Sequence, residues 1–257
     1  MPRFARVVAA GLPHHITQRG NERRRVFLSP LDYRLYIKLL NDRIEKCHLR
    51  LLGYCLMPNH VHFIAIPEET NSLADAFGRV HCDYARYLHM QRDQTGHLWQ
   101  NRFYSCVLDE AHCWQALAYV ERNPVRAGLC ENAAIYEWSS AAAHCGGSRG
   151  ALPLDVSEWR ARYTERMWRE ALTTSLNEAA LIERLRSATR TGRPLGGDGF
   201  VSELGRRLGR DLVKKKSGRP ARKNQETGSL SLNPAEEGEQ GGAVVVGGHE
   251  QYGLTFA

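Results

Sequence analysis

The stretch LMPNHVHFIA at positions 56–65 places two histidines one residue apart in an apolar run. Side chains on a β-strand alternate between its two faces, so His60 and His62 share one face while Val61 and Phe63 share the other. Two neutral imidazoles one strand step apart can bind one metal ion. The same residues also suit a polar turn that leads into a strand. Other segments of the chain must therefore decide between the two interpretations.

The composition favours a soluble protein of the reduced cytoplasm. The chain of 257 residues is long enough for a sizeable core. Its 7 cysteines are odd in number and form no Cys-x-x-Cys pair, which argues against a disulfide framework and a zinc ribbon. The apolar stretch within residues 1–15 is too short and interrupted for a secretory signal, and no run reaches transmembrane length. We therefore expect no membrane contact.

The charge is unevenly distributed along the chain. The net charge is +7, and residues 181–225 carry 13 Lys and Arg against 4 Asp and Glu. Residues 226–257 carry 5 Glu and neither Lys nor Arg. A basic segment of this kind suits a polyanion such as nucleic acid, because binding releases counterions from the phosphates. Charge alone fits a solvated linker nearly as well.

The order of predicted elements indicates an α+β fold with a ferredoxin-like split βαβ sheet. The patterns predict strands at 14–20, 49–57, 61–67 and 97–108, and helices at 29–47, 71–93 and 110–123. Ser29 and Pro30 form a typical helix start. The order β-α-β-β-α-β, followed by a helix, is that of the split βαβ unit.

The remaining chain is divided by composition. We predict a first domain at residues 1–150, a helical and basic DNA-binding appendage at 151–225, and a disordered acidic tail at 226–257. The Gly-Arg-Pro sequence around Arg219 resembles the arms that enter A·T-rich minor grooves.

The third predicted helix offers further candidate groups in YVERNP. Tyr119 and Asn123 are four residues apart and share one helix face. An amide oxygen is an acceptable ligand for Mg²⁺ or Mn²⁺, and a tyrosyl oxygen can act as a covalent nucleophile. Each could also have a purely structural role, Tyr119 as a core aromatic and Asn123 as a helix-terminal residue before Pro124.

Other tyrosines compete for the role of nucleophile. Tyr84 and Tyr104 lack a ligand-type residue four positions further on, whereas Tyr87 is followed by Gln91. Tyr87 with Gln91 is therefore the second candidate pair.

Four motifs together resemble the single-tyrosine HUH transposases, in the branch associated with repetitive extragenic palindromes (REP). They are HHITQRGNERRRVF, MPNHVH, GHLWQNRF and YVERNPVRAGL, and the resemblance spans roughly residues 5–145. It implies an HUH endonuclease fold with His60, His62 and Asn123 as ligands of a divalent metal, Mg²⁺ or Mn²⁺. It also implies that Tyr119 attacks a phosphate of single-stranded DNA and forms a 5′-phosphotyrosine link. The expected activity is metal-dependent nicking and rejoining at REP-type hairpins, as in DNA transposition and recombination.

Several residues outside this set are candidate DNA contacts. Basic groups favour phosphates, and aromatic rings favour stacked bases. The candidates are Arg23, Arg24, Arg25, Trp99, Arg102, Lys214, Lys215, Lys216 and Arg219. Trp99 could equally be a core residue, and the arginine run could be a solvated turn.

Two alternative functions remain open from the sequence. The chain could be a domesticated DNA-hairpin-binding protein with little catalysis, although such a protein would not need the full set of histidines, tyrosine and asparagine. It could also be a relaxase or replication initiator that uses the same chemistry. The resemblance allows either a monomer or a homodimer. His14 or His15 could also approach the metal from the first strand.

Overall fold

The computed structural model describes residues 6–93, 95–148, 150–174 and 178–213. The chain divides into two units, at residues 1–214 and 215–257, and all described residues belong to the first. Four of the predicted DNA contacts, Lys214, Lys215, Lys216 and Arg219, and the predicted acidic tail lie outside the described residues. In the described part of the chain, no helix is both long and apolar enough to span a membrane.

A four-stranded antiparallel sheet forms the centre of this unit. Its strands are β1 (His14–Arg19), β2 (Leu49–Met57), β3 (His60–Pro67) and β4 (Tyr104–Val107). They lie in the order β2-β3-β1-β4, and each adjacent pair is antiparallel. This is the order of the split βαβ unit, because each helical crossover leaves one strand between the strands that it connects. The α+β class and the ferredoxin-like arrangement predicted from the sequence are confirmed.

Helices cover both faces of the sheet. Within the described residues they are α1 (Pro30–Ile44), α2 (Arg79–Arg92), α3 (Glu110–Glu121), α4 (Asn123–Arg126), α5 (Ala141–His144), α6 (Ser157–Arg160), α7 (Glu165–Thr173), α8 (Glu178–Thr191) and α9 (Asp198–Leu208). A π-helical segment at Ala74–Gly78 leads into α2, and 3-10 turns lie at Asn21–Arg23 and Ala133–Ile135.

One hydrophobic core lies between the sheet and helices α1 and α2. Val61 and Phe63 of β3 pack there with Tyr36, Leu40 and Tyr84, and all five side chains are fully buried. The start of α1 follows the sequence signal, because Ser29 caps the helix, Pro30 occupies its first turn and the Asp32 carboxylate accepts the Ser29 N–H at 3.1 Å. The face of β3 without histidines therefore anchors the strand.

A second core lies on the opposite face of the sheet, under α3, α7 and α8. It contains Ile64 of β3 with Leu117, Trp168 and Leu185 from the three helices. Gly53 of β2 permits the close approach of α3, because a Cβ atom there would collide with the Leu117 side chain. The His60 face of β3 is thus the face that α3 covers.

A buried carboxylate joins α3 to the helices beside it. Glu121, at the end of α3, accepts hydrogen bonds from the Ser140 hydroxyl, from His144 Nδ1 at 2.7 Å and from Trp168 Nε1 at 2.8 Å. Glu121, Ser140 and His144 are completely buried. Several donors offset the cost of burying such a carboxylate, so this network fixes the C-terminal end of α3.

The helices beyond residue 150 pack on the same unit as the sheet. Helix α8 contacts β4 and β1. Leu204 of α9 and Leu212 join Val7, Ala9 and Val107 in a smaller core. The functional division at residue 150 remains a prediction, but the described residues on its two sides form one compact unit.

Two boundaries differ from the sequence patterns. The strand predicted at 97–108 is shorter, because only Tyr104–Val107 pairs as β4. Residues 99–100 instead bind the end of β1, where Gly20 bridges Trp99 and the Gln100 N–H donates to the Arg19 carbonyl at 2.9 Å. Helix α3 ends at Glu121, and α4 begins at Asn123 with Pro124 in its first turn.

Candidate functional site: a basic cleft on the histidine face of the sheet

A cleft of about 580 Å³ lies on the α3 face of the sheet, beside the ends of β1 and β3. It is lined by His60, His62, Tyr119 and Asn123, among others. These residues come from the β2–β3 hairpin and from two successive helices, α3 and α4. The fold therefore brings together the four residues that the sequence motifs singled out.

The rings in the cleft are close to one another. The His60 and His62 ring centroids are 4.9 Å apart and the two planes are nearly perpendicular. The Tyr119 ring centroid is 5.8 Å from that of His62 and also meets it edge to face. A group that both imidazoles bind would consequently lie near the tyrosine.

Each histidine presents the same ring nitrogen for binding. His60 Nδ1 lies 2.6 Å from the Asn59 side-chain oxygen, which can only accept a hydrogen bond. Asn59 is oriented by its own amide group, which donates to the Arg23 carbonyl at 3.1 Å. His62 Nδ1 contacts His15 Nε2 at 2.8 Å. With both Nδ1 atoms engaged, the Nε2 atoms are available for a metal ion or a proton donor.

Burial keeps both imidazoles neutral. The pKa of His60 is lowered to about 3, first by burial and then by the positive charges of Arg19 and Arg126. The pKa of His62 is well below its ordinary value, mainly because of burial and then because of the adjacent His60 and His15 rings. Neutral imidazole is the form that binds metals, so both side chains are in the ligand state at neutral pH.

Tyr119 and Asn123 are held in the wall of the cleft. Both are buried, with 5 % and 4 % of their surfaces exposed. The Arg126 guanidinium lies over the Tyr119 ring, 4.5 Å from its centroid. The Asn123 amide group donates to the Val120 carbonyl at 3.2 Å, which leaves the side-chain oxygen as the ligand atom. The cation fixes the ring orientation and adds positive charge beside the tyrosine.

Five arginines surround these groups. They are Arg19, Arg23, Arg126, Arg186 and Arg190, and none of the described residues that line the cleft is Asp or Glu. The pKa of Arg19 is lowered by burial and by the positive charges of Arg23 and Arg186. Cations that repel one another favour an anion between them, so the cleft suits a phosphate backbone.

The predicted DNA contacts fall in different places. Arg23 lines the cleft, whereas Arg24 and Arg25 are exposed beside it and are not part of its lining. Trp99 and Arg102 line a second cavity of about 800 Å³ near α2. The Trp99 indole N–H donates to the His81 carbonyl at 2.8 Å, so this ring is half-buried with its edge fixed.

The competing tyrosines are also separated by the fold. Tyr84 is fully buried in the α1–α2 core and its hydroxyl donates to the Val26 carbonyl at 2.8 Å. Tyr87, with Gln91, lies on α2 and does not line the cleft. Tyr104 does line the cleft, on the opposite side of β1 from His60. Of the three competing tyrosines, Tyr104 is therefore the one whose position still allows it to act as the nucleophile.

The sequence patterns missed two residues around the histidines and left a third undecided. Asn59 and Thr189 were not singled out, and His15 was left open beside His14. His14 is bound by backbone groups, with Nδ1 on the Leu12 carbonyl and Nε2 on the Ala9 N–H. The strand pairing in the structure separates the two, because residues 15, 17 and 19 of β1 face the same side of the sheet as His62. Nothing local marked Thr189, which is 174 residues further along the chain.

The donor set fits a divalent cation of intermediate hardness. Two imidazole Nε2 atoms and one amide oxygen suit ions such as Mn²⁺, which accept nitrogen and oxygen ligands. No group of three or more His, Cys, Asp or Glu side chains among the described residues is arranged to hold a metal. A site here would therefore depend on Asn123 as well as on the two histidines.

Residues 9–123 match the family described as "Transposase IS200 like". This region includes His60, His62, Tyr119 and Asn123. The resemblance to single-tyrosine transposases that the motifs indicated is confirmed for this part of the chain. No curated protein matches the sequence.

Two solved structures are similar to the chain. One is a REP-associated tyrosine transposase bound to a REP hairpin, with 18% identity, a TM-score of 0.46, and coverage of 61% of this chain and 94% of that one. The other is a protein assigned as a transposase from Deinococcus radiodurans R1, with 20% identity, a TM-score of 0.33, and coverage of 47% and 96%.

Proposed function

We propose that the protein is a transposase-like strand transferase that nicks and rejoins single-stranded DNA at hairpin sequences of the REP type. The observation that supports this most directly is the meeting of two Nε2-presenting histidines, Tyr119 and Asn123 in one cleft. The match of residues 9–123 to IS200-like transposases supports the reaction class. The hairpin preference rests on the REP-associated motifs in the sequence.

In this proposal His60, His62 and Asn123 hold a divalent ion, Mg²⁺ or Mn²⁺. When bound, the ion polarises the scissile phosphate and orients it. The residues of the chain supply the rest of the site. The arginines of the cleft hold the flanking phosphates, and the Tyr119 hydroxyl faces the phosphorus.

Tyr119 is the proposed nucleophile. Its oxygen forms a bond to phosphorus while the bond from phosphorus to the 3′-oxygen breaks. The phenolic proton passes to water, and the departing 3′-oxygen takes up a proton to become a free hydroxyl. The product is a 5′-phosphotyrosine ester, and attack by a 3′-hydroxyl reverses the step and rejoins the strand.

A second cavity beside the cleft offers the single strand a further basic and aromatic surface. Gln100 lines both the cleft and the second cavity, so the two are neighbours. The second cavity contributes Trp99 and Arg102, together with Arg6 and Arg86. A strand leaving the cleft over Gln100 would meet a fixed indole and three guanidinium groups, which suits a base and its phosphates.

A labelled single-stranded hairpin tests the function. Hairpins from DNA flanking the gene, labelled at either end, are incubated with the full chain and Mn²⁺ and separated on a denaturing gel. The proposal predicts that the 3′-side label migrates with the protein and the 5′-side label appears in a shorter free strand. Hairpin binding without any covalent adduct in Mn²⁺ or Mg²⁺ would contradict it and favour the DNA-binding alternative.

A further inference from the structure

A buried chain of hydrogen bonds runs from helix α8 to His62. The Thr189 hydroxyl lies 2.7 Å from the Leu185 carbonyl and 2.8 Å from His15 Nδ1. His15 Nε2 in turn lies 2.8 Å from His62 Nδ1. Thr189 and His15 are each 2 % exposed and His62 is 6 % exposed, so water does not compete for these contacts.

The single hydroxyl proton of Thr189 determines the direction of the whole chain. The Thr189 hydroxyl donates to the Leu185 carbonyl, which can only accept, and a Thr189 oxygen whose proton is used there faces His15 as an acceptor. His15 must then carry its proton on Nδ1, which leaves Nε2 as an acceptor. His62 consequently donates from Nδ1, and its Nε2 bears the lone pair.

The thiol beside Thr189 agrees with this direction. Cys106 Sγ lies 3.2 Å from the Thr189 oxygen. Burial raises the pKa of Cys106 to about 12, so the thiol keeps its proton and can donate to that oxygen. The Thr189 oxygen thus has two donors facing it and one acceptor for its own proton.

We propose that Thr189 and His15 are positioning residues that hold His62 in the tautomer with a bare Nε2, the only tautomer that can bind a metal through that atom. This inference rests on the proposed metal site. If the chain ran the other way, His15 would donate from Nε2, and His62 would carry its proton on Nε2 and lose its ligand atom. Groups that hold a ligating histidine in this manner govern metal affinity.

The inference makes α8 part of the catalytic unit. Thr189 reaches His15 across 174 residues of sequence, and Arg186 and Arg190 of the same helix line the cleft. The helix therefore supplies both the tautomer control and part of the phosphate-binding surface.

Conservative variants of Thr189 separate this role from packing. Thr189→Val keeps the shape and removes the hydroxyl, whereas Thr189→Ser keeps the hydroxyl. Mn²⁺ affinity is measured calorimetrically on the full chain without DNA. We expect about 10- to 100-fold weaker binding for Thr189→Val and near wild-type binding for Thr189→Ser. Thr191→Val is the matched control, because its exposed hydroxyl makes the same bond one turn back, to Ser187, outside the cleft.

A variant of His15 tests the next link of the chain, and NMR measures the tautomer of His62 directly. His15→Phe keeps an aromatic ring beside His62 but removes the acceptor, and it should also weaken Mn²⁺ binding. Long-range proton–nitrogen NMR distinguishes protonated from bare ring nitrogens. We expect His62 to be protonated at Nδ1 in the wild type and in Thr189→Ser, and to shift towards the Nε2-protonated tautomer in Thr189→Val.

The outcomes distinguish this inference from the proposed function. If His60→Ala abolishes Mn²⁺ binding while Thr189→Val and His15→Phe bind as the wild type does, the metal site stands and the positioning role is wrong. A wild-type His62 found with its proton on Nε2 would also overturn the inference. If the wild type binds neither Mn²⁺ nor Mg²⁺, the proposed metal site is wrong and the positioning role is wrong with it.

Discussion

At the residue scale, the site depends on which atom each side chain has free. His60 and His62 both use Nδ1 for a hydrogen bond within the protein, and so both present Nε2 to the cleft. The alternation of side chains along a strand predicted that the two rings would share a face. It could not predict their tautomers, because alternation along a strand does not show that Asn59 binds His60 or that His15 binds His62.

Asn123→Ala tests the third ligand. Loss of one ligand weakens a metal site without removing the nucleophile, so we expect slower adduct formation than in the wild type. Additional Mn²⁺ should partly restore the rate, because mass action refills a weakened site. The measurement is the rate of adduct formation across a Mn²⁺ titration. A rate equal to that of the wild type at every concentration would remove Asn123 from the ligand set.

At the scale of the elements, most helices and strands follow directly from the sequence. The Ser-Pro start of α1, the β2–β3 hairpin and the amphipathic α2 occur where the patterns predicted them. The strand expected at 97–108 was overestimated, because Phe103 enters the α1–α2 core from a loop. An apolar pattern indicates burial but does not separate a buried loop from a strand.

The second prediction concerns the close packing of α3 on the sheet. In Gly53→Ala the new Cβ would collide with the Leu117 side chain of α3, so either that side chain or the helix, which carries Tyr119, must shift. We expect destabilisation of about 1–3 kcal/mol, together with slower adduct formation. Gly78→Ala is the control, because Gly78 is helical and has open space where its Cβ would be. Equal stability of the two variants in denaturant unfolding would contradict this packing.

The third prediction concerns the contribution of the α8 arginines to DNA binding. Arg186 lines the cleft, whereas Arg184 on the same helix is exposed outside it. Arg186→Gln should weaken binding of single-stranded DNA and reduce the slope of log affinity against log salt by about 0.7. Arg184→Gln removes the same charge and should leave the slope unchanged. Equal slopes in the two variants would show that the strand does not follow this face of α8.

At the scale of the whole molecule, the basic segment of the sequence extends past the described residues that line the cleft. Chains that end at residues 225 and 214 differ in five basic residues, Lys215, Lys216, Arg219, Arg222 and Lys223. If these contact phosphates, the shorter chain should bind hairpin DNA more weakly and with a smaller salt slope, but cleave saturating DNA at the same rate. Identical salt slopes for the two chains would rule out that contact.

The most direct test of the proposed function is a comparison of Tyr119→Phe with Tyr104→Phe. Both tyrosines line the cleft, and each substitution removes only a hydroxyl. With single-stranded hairpin and Mn²⁺, we expect Tyr104→Phe to form the covalent adduct and Tyr119→Phe to form none while still binding the DNA. Mass spectrometry of the digested wild-type adduct should locate the phosphodiester on Tyr119. An adduct that persists in Tyr119→Phe, or that maps to Tyr104, would contradict the assignment of the nucleophile.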